Sequence, residues 1–181
     1  MTGVSIRIGT PADAAALGPL ARRVFRQTFE GDPDHKPHDM EMFLTDVLSD
    51  KQLAREMNAA SVTYYLAESE ATLIGYLKIC TGEAPACVAR TKPLEIARLY
   101  VDFAWHGRGV AHALMERVLA HAAELSCDAI WLGVWHRNLR AQRFYRKWGF
   151  EQVGEHPFVF GTDHQKDLVF ARRLSKDSGP C

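Results

Sequence analysis

The chain has 181 residues, of which 47% are hydrophobic and 24% are charged, a composition typical of one globular domain with a sizeable core. Its 22 basic side chains equal its 22 acidic ones, whereas a nucleic-acid-binding protein would normally show a basic excess. The four scattered cysteines, the lack of an apolar leader and the lack of any apolar run near ~20 residues favour a cytoplasmic protein without a metal site or a membrane partner.

The N-terminal half shows extended and helical patterns in turn. Val4–Ile8 alternates apolar and polar residues and predicts a half-buried strand. Thr10 and Pro11 predict a helix start, and an apolar stripe continues that helix to about Phe29. The acidic, proline-containing segment Glu30–Pro37 predicts a loop. Two helices and two strands are then predicted, at Met40–Leu48, Lys51–Asn58, Val62–Glu68 and Thr72–Cys80.

The C-terminal half begins with a loop of small residues over Thr81–Lys92. A strand, a helix, a strand, a helix and two last strands are predicted at Leu94–Val101, Val110–Leu125, Ala129–Trp135, Asn138–Trp148, 150–154 and 166–174. Gly149 is expected to cap the second helix, and the nearly all-apolar strand Ala129–Trp135 is typical of a sheet covered on both faces. We expect one α/β domain over residues 1–174 and a frayed tail over residues 175–181.

The segment that follows the strand Leu94–Val101 carries the clearest chemical signal, because a glycine-containing loop opens a long helix there. Gly107 and Gly109 permit backbone conformations and close approaches that a side chain would block. Free amides and the dipole at a helix N-terminus attract phosphate. The loop lacks the Gly-Lys-Ser/Thr of a P-loop, and His112 occupies the third glycine position of the dinucleotide fingerprint. Both nucleotide-binding motifs are therefore disfavoured.

This loop, His106–Ala111, resembles the Q/R-x-x-G-x-G/A pyrophosphate loop of the GNAT superfamily of N-acetyltransferases. His106 departs from the pattern, since Gln or Arg is usual at its position. Asn138–Phe150 is similar to a second element of that superfamily, N-x-x-A-x-x-F-Y-x-x-x-G-F, one helix and one strand downstream. The resemblance extends over about Val4–Leu174, and its specific part is Leu94–Phe150.

The resemblance implies a mixed, mostly antiparallel central sheet with helices on both faces (an α+β fold), and acetyl-CoA as the acetyl donor. It also implies that the end of a strand, the glycine loop and two later helical residues bind the cofactor. These residues are Leu99, Tyr100, Val101, His106, Gly107, Arg108, Gly109, Val110, Ala111, His112, Asn138 and Tyr145. No metal is expected, because none of the eight histidines forms an H-x-x-x-H pair.

Two residues are candidates for proton transfer. Tyr145 follows Asn138 by two helical turns and would protonate the departing CoA thiolate, although a core tyrosine is the alternative. Glu95 lies eleven positions before His106, where histone-type members of the superfamily carry a general base. The alternative for Glu95 is a surface carboxylate paired with a cation such as Arg98. Direct transfer in a ternary complex is expected, rather than a covalent acetyl-enzyme.

The acceptor is expected to be a small-molecule or peptide amine. Residues 133–163 resemble bacterial polyamine (spermidine/spermine) acetyltransferases, and nearby acidic residues could attract a polycation. These acidic residues are Glu30, Asp32, Asp34, Asp39 and Glu41. The alternative for these acidic residues is a solvated charged loop. The alternative functions are a protein N-terminal or lysine acetyltransferase and a non-catalytic acyl-CoA sensor. The pair Asn138 and Tyr145 disfavours the sensor. Homodimers are common in families that this chain resembles.

Overall fold

A computed structural model describes residues 3–31, 36–160 and 162–174, and one seven-stranded sheet runs through them. Its strands are β1 (Val4–Ile8), β2 (Val62–Ser69), β3 (Thr72–Thr81), β4 (Pro93–Val101), β5 (Ala129–Trp135), β6 (Glu151–Phe160) and β7 (Asp163–Arg173). They lie in the order β1-β2-β3-β4-β5-β7-β6, and among the described strands only β4 and β5 pair in parallel. The predicted mixed, mostly antiparallel sheet is confirmed.

Helices cover both faces of this sheet, as predicted. Within the described ranges they are α1 (Ala14–Phe29), α2 (Pro37–Asp46), α3 (Asp50–Met57), α4 (Val110–Glu124) and α5 (Leu139–Lys147). Strand β2 shows the two-residue period: Tyr64 and Leu66 pack against α1, α2 and α3, whereas Tyr65 and Ala67 face the core of α4 and α5. No helix of the described ranges is long and apolar enough to cross a membrane.

The structure differs from the sequence predictions at both ends of the chain. The first turn after Thr10 is a 3₁₀ helix in which Asp13 accepts hydrogen bonds from the Thr10 N–H and hydroxyl, so the α-helix begins only at Ala14. Strands β6 and β7 are longer than predicted because hairpin pairing holds polar residues such as His156 in extended backbone. The predicted tail (175–181) and part of the predicted acidic loop (32–35) lie outside the described residues.

Strands β4 and β5 pair at one end and then separate. Their parallel ladder joins Pro93–Glu95 to Ala129–Trp131. Beyond it, β4 stays paired with β3 as far as Val101, with a bulge at Ala97, and β5 stays paired with β7 as far as Trp135. In the described part of the sheet, the β4 edge beyond the ladder therefore faces a gap, which we call the splay, with backbone groups that no strand pairs.

Asp128 fixes the closed end of the splay. Its carboxylate accepts hydrogen bonds from the N–H groups of Thr91 and Lys92, at 3.0 and 3.1 Å, and from the Thr91 hydroxyl at 2.8 Å. Its own N–H donates to the Lys92 carbonyl at 3.1 Å. Burial alone would raise the pKa of the Asp128 carboxyl, but these hydrogen bonds outweigh burial and lower it. The residues that precede β4 and β5 are thus held side by side.

Asp128→Ala should lower the free energy of unfolding at neutral pH by about 1–3 kcal/mol, because two backbone N–H donors lose their charged acceptor. The folded-state pKa lies below the unfolded value of about 3.9, so the contribution is present above that value and is lost as the pH falls through the folded pKa. Denaturant titrations at neutral and acid pH should therefore show a difference between parent and variant that narrows in acid. Asp46→Ala, at the exposed end of α2, is the control, and equal losses in both variants would contradict the assignment.

Candidate active site

Two adjoining cavities open where β4 and β5 separate. The first, of about 380 Å³, lies between β4 and α5 and reaches the start of α4. The second, of about 270 Å³, lies between the sheet and the helices α1 and α2. Six residues line both: Leu99, Tyr100, Trp135, Asn138, Ala141 and Tyr145. Because these residues form a shared wall, the two cavities are the halves of one cleft across the splay.

The glycine loop at the start of α4 presents free backbone N–H groups. Gly107 and Gly109 have φ of +76° and +83°, and a Cβ on either would meet no atom within 4 Å. Glycine is therefore required by the backbone conformation and not by crowding. The first helical hydrogen bond runs from the Ala113 N–H to the Gly109 carbonyl at 3.0 Å. The N–H groups of residues 110–112 precede that ladder and are available to an anion.

His106 joins the loop to β4 and α5. Its Nε2 is 2.9 Å from the Val101 carbonyl oxygen, and its Nδ1 is 2.7 Å from the Arg140 guanidinium. A guanidinium can only donate, so Nδ1 accepts from Arg140 and the proton sits on Nε2, which donates to Val101. Burial and then the Arg140 charge lower the pKa of His106, which is neutral in this arrangement. The residue that departs from the family pattern thus orients an arginine at the first cavity.

The first cavity suits an extended, anionic ligand. Arg137 and Arg140 are in its lining, whose described residues include no carboxylate. Leu99, Tyr100 and Val101 line it along the unpaired edge of β4, where an extended ligand can hydrogen-bond like an added strand. Of the other predicted cofactor residues, His106, Ala111, Asn138 and Tyr145 are also in the lining.

The remaining predicted loop residues contribute differently. The Val110 side chain is buried in the core, so only its backbone faces the loop. The Arg108 guanidinium lies over the Trp105 ring, and the His112 ring packs on Trp148. For these residues a cofactor contact through the backbone stays a prediction.

Asn138 and Tyr145 lie on α5 in the wall that both cavities share. The Asn138 Oδ1 accepts a hydrogen bond from the Ala141 N–H at 3.0 Å, so Asn138 is the N-cap of α5. The Tyr145 side chain packs edge-on against Phe150, and only 7% of the residue is exposed. Burial raises the pKa of the Tyr145 phenol, which therefore keeps its proton at neutral pH.

The second cavity is mainly aromatic. Seven aromatic residues are in its described lining: Phe25, Phe29, Phe43, Tyr100, Trp135, Tyr145 and Phe158. Its charged lining residues are Lys78, Arg98 and Asp167. The Lys78 ammonium and the Arg98 guanidinium both bind Glu56, at 3.0 and 2.7 Å, and the Tyr64 hydroxyl donates to the same carboxylate. The two cations are therefore held by one carboxylate.

Glu95 lies at the closed end of the splay, across from Cys80 on β3 and Trp131 on β5. It is absent from the described lining of both cavities. Arg98, its expected partner under the structural alternative, instead forms its ion pair with Glu56. Burial raises the pKa of Glu95. The structure therefore brings Tyr145 and the cofactor residues together but leaves Glu95 outside the cleft walls.

Two of the described acidic residues that were expected to attract a polycation are engaged within the fold. Asp39 is fully buried and accepts hydrogen bonds from the Thr162 N–H and hydroxyl, at 2.7 and 2.9 Å, so the expectation is wrong for this residue. Glu41 pairs with Arg26 at 2.7 Å. Asp32 and Asp34 lie outside the described residues.

Two residues of the cleft were missed in the sequence. Arg140 stands two positions after Asn138 in the second motif, and its place in the first turn of α5 was a usable signal. Asp167 gave no local signal, because its place beside Trp135 depends on the pairing of β7 with β5.

Comparison with known proteins identifies the family of the chain. The acetyltransferase (GNAT) family matches residues 22–150. The chain is similar to an uncharacterised N-acetyltransferase in the pepI 3′ region of Lactobacillus delbrueckii subsp. lactis, with 31% identity over 174 residues, 96% of this chain and 99% of that protein. It is similar over 62 residues to the spermine/spermidine N(1)-acetyltransferase of Bacillus subtilis, with 32% identity, 34% of this chain and 41% of that protein.

The fold is also that of a solved relative. The crystal structure of PaiA N-acetyltransferase from Thermoplasma acidophilum, in complex with coenzyme A, superposes with a TM-score of 0.76 at 18% identity, over 95% of this chain and 99% of that one. At 18% identity this structural similarity shows the fold alone. The family is shown by the sequence match, which covers residues 22–150. The chain therefore belongs to the acetyltransferase (GNAT) family and is an acetyl-CoA-dependent acetyltransferase.

Proposed function

We propose that this enzyme transfers the acetyl group of acetyl-CoA directly to a primary amine, with both substrates bound at the splay. The observation that carries this proposal is the shared wall. Asn138 and Tyr145 border both the cavity beside the glycine loop and the aromatic cavity. Acetyl-CoA would occupy the first cavity and the amine the second, so that the thioester and the nitrogen meet at Tyr145.

The first cavity and the adjoining loop offer contacts for the phosphates, the pantetheine arm and the thioester of the cofactor. The N–H groups of residues 110–112 and the charge of Arg140 would hold the phosphates. The unpaired edge at Leu99–Val101 would bind the pantetheine amides, and Asn138 lies beside the same path. A β4 N–H directed at the thioester oxygen would stabilise its developing negative charge, a contribution of about 3 kcal/mol in other enzymes.

The proposed reaction begins with a neutral amine that attacks the thioester carbon, forming the C–N bond. The tetrahedral adduct collapses as the C–S bond breaks, and Tyr145 gives its phenolic proton to the CoA sulfur. The tyrosinate then takes the remaining excess proton from nitrogen, which restores the phenol. Burial disfavours a thiolate in this wall as it disfavours the tyrosinate, so both anions are short-lived.

The base that first deprotonates the amine is a second element of the proposal. Glu95 stays a prediction in this role, and its place outside the cavity walls means that it would act through intervening water. Its raised pKa is compatible with accepting a proton.

We propose a polyamine or another primary amine as the acceptor. A polyamine is supported by the 62-residue similarity to the Bacillus subtilis enzyme. The second cavity has one carboxylate in its described lining, Asp167, so a monoamine or the amine of a peptide fits it as well.

A panel of amines with acetyl-CoA tests the function: spermidine, butylamine, a lysine-containing peptide and a peptide with a free N-terminus. CoA release should accompany an acetylated product that mass spectrometry identifies. Tight acetyl-CoA binding without product from any amine would instead favour a non-catalytic sensor.

Gly109→Trp should weaken CoA binding by about 100-fold or more, because the indole fills the space beside the free N–H groups and charge-assisted hydrogen bonds of about 1.5–3 kcal/mol each are lost. Calorimetry with CoA measures the affinity, and circular dichroism checks the fold. Gly82→Trp is the control, since Gly82 also has positive φ and open space but lies in an exposed loop. Unchanged affinity in a folded Gly109 variant would remove the loop from the cofactor site.

Tyr145→Phe should lower kcat by about 100-fold or more while changing CoA affinity little, because only the leaving-group proton is removed. Stopped-flow single turnovers keep the comparison on the chemical step. Tyr65→Phe is the matched control, as the Tyr65 hydroxyl bonds to His121 on α4, at 3.0 Å. Equal single-turnover rates for Tyr145→Phe and the parent would exclude Tyr145 as the acid.

A further inference from the structure

We propose that Asp167 binds the acceptor's ammonium group and receives its proton before the attack on the thioester. This inference rests on the amine acetylation proposed above and names a recognition residue within the same cleft. The acceptor class that follows is a primary ammonium on an apolar stem.

The pairing of three strands places Asp167 at the mouth of the splay. On β7 it lies across from Trp135, the last residue of β5, and from His156 on β6. It lines the second cavity, which shares the Tyr145 wall with the first. Asp167 is thus the single carboxylate in the described lining of the cleft.

Gly133 gives the carboxylate room to lie over β5. A Cβ built on Gly133 would be 3.3 Å from the Asp167 Oδ2, which is tighter than an ordinary van der Waals contact. Gly133 is exposed and lines the second cavity although it stands in a strand whose other residues are largely buried. A glycine inside a strand commonly marks such a close approach.

The charge of Asp167 is not used by the fold. The cations of this cavity, Lys78 and Arg98, are engaged with Glu56, and the ion pairs among the described residues leave Asp167 out. The titratable groups that act on it are His156 from β6, His136 after β5 and Tyr100 from β4. A half-buried carboxylate that no ion pair among the described residues engages is a ready site for an ammonium group.

The surroundings of Asp167 suit the carboxylate before it accepts the proton and the carboxylic acid afterwards. Burial raises the pKa of Asp167 to about 6, and the charges of His156 and His136 partly oppose this. At neutral pH the group is therefore mostly ionised, yet it is a stronger base than an ordinary aspartate. Phe29 and Trp135, with ring centroids 5.3 Å apart, line the same cavity, and an aromatic lining suits a cation on an apolar stem.

The proton balance closes without another reactant. The Asp167 carboxylate takes one proton from R–NH₃⁺, which leaves a neutral amine and a carboxylic acid. The amine then forms the C–N bond, and the C–S bond breaks as described above. Asp167 returns its proton to solvent after the products leave.

Asp167→Asn should lower kcat/KM at neutral pH by about 10²–10³-fold, because the amide cannot accept the proton. The variant should also lose the limb near pH 6 of the parent's pH profile, and alkaline pH should restore part of the rate, since an amine with a pKa near about 10 is then already neutral. The acceptor is whichever of spermidine, butylamine and the two peptides the parent acetylates fastest. Glu155→Gln, an exposed acid on the same hairpin, is the control and should match the parent.

Glu95→Gln is the rival arm. A limb near pH 6 that disappears in Glu95→Gln and survives in Asp167→Asn would overturn the proposal in favour of Glu95. Gly133→Ala keeps the carboxylate but crowds it, so it should lower kcat/KM while leaving CoA affinity unchanged.

Different measurements contradict the role of Asp167 and the amine acetylation itself. If the parent acetylates none of the four amines, the proposed function is contradicted. ¹³C NMR titration of the carboxyls with butylamine still tests Asp167 in that case: an Asp167 pKa lowered by the ammonium supports binding, and an unchanged one overturns it. Turnover by the parent with an unaltered Asp167→Asn pH profile contradicts the role of Asp167 alone.

Discussion

The three residue pairs that hold β4 against β5 are the contact on which the rest of the site depends. Each strand keeps a full partner on its other side, β3 for β4 and β7 for β5, so the two can separate without losing their place in the sheet. Separation frees an edge of backbone groups, opens both cavities and lets α5 bring Tyr145 to the gap. Asp128 strengthens the paired end, since it joins the residues before the two strands.

The charge of the lining residues changes from one end of the cleft to the other. The end beside the glycine loop has arginines and a neutral His106, and the middle has an uncharged tyrosine. At the far end, burial would raise the pKa of Glu56, but Arg98, Tyr64 and Lys78 outweigh it and keep that carboxyl ionised. The charges of Glu56, Lys78 and Arg98 are therefore paired with one another. The second cavity thus has an aromatic lining and one carboxylate, Asp167, that stands outside the ion pairs of the described residues.

Sequence was informative wherever a local rule fixes the backbone. The glycine loop that ends at Gly109, whose φ is positive, and the helices that begin at Val110 and near Asn138 were all predicted from short patterns. It was uninformative where partners lie far apart in the chain. The length of β6 and β7, the burial of Asp39 and the position of Asp167 each depend on strand pairing or packing that no neighbouring residue announces. The half of the cleft beside the glycine loop was thus predictable from the sequence, and the half that Asp167 lines was not.

The bond from Thr162 to Asp39 joins residues 123 positions apart and ties α2 to the β6–β7 turn. Most of the lining of the first cavity, in contrast, comes from residues 99–145. Closing a longer loop costs more chain entropy. The contact between α2 and the β6–β7 hairpin is therefore expected to form during folding after the lining of the first cavity. With acetyl-CoA on the contiguous segment and the amine on the late-closing wall, as proposed above, substitutions in that wall would change acceptor choice and leave donor binding intact.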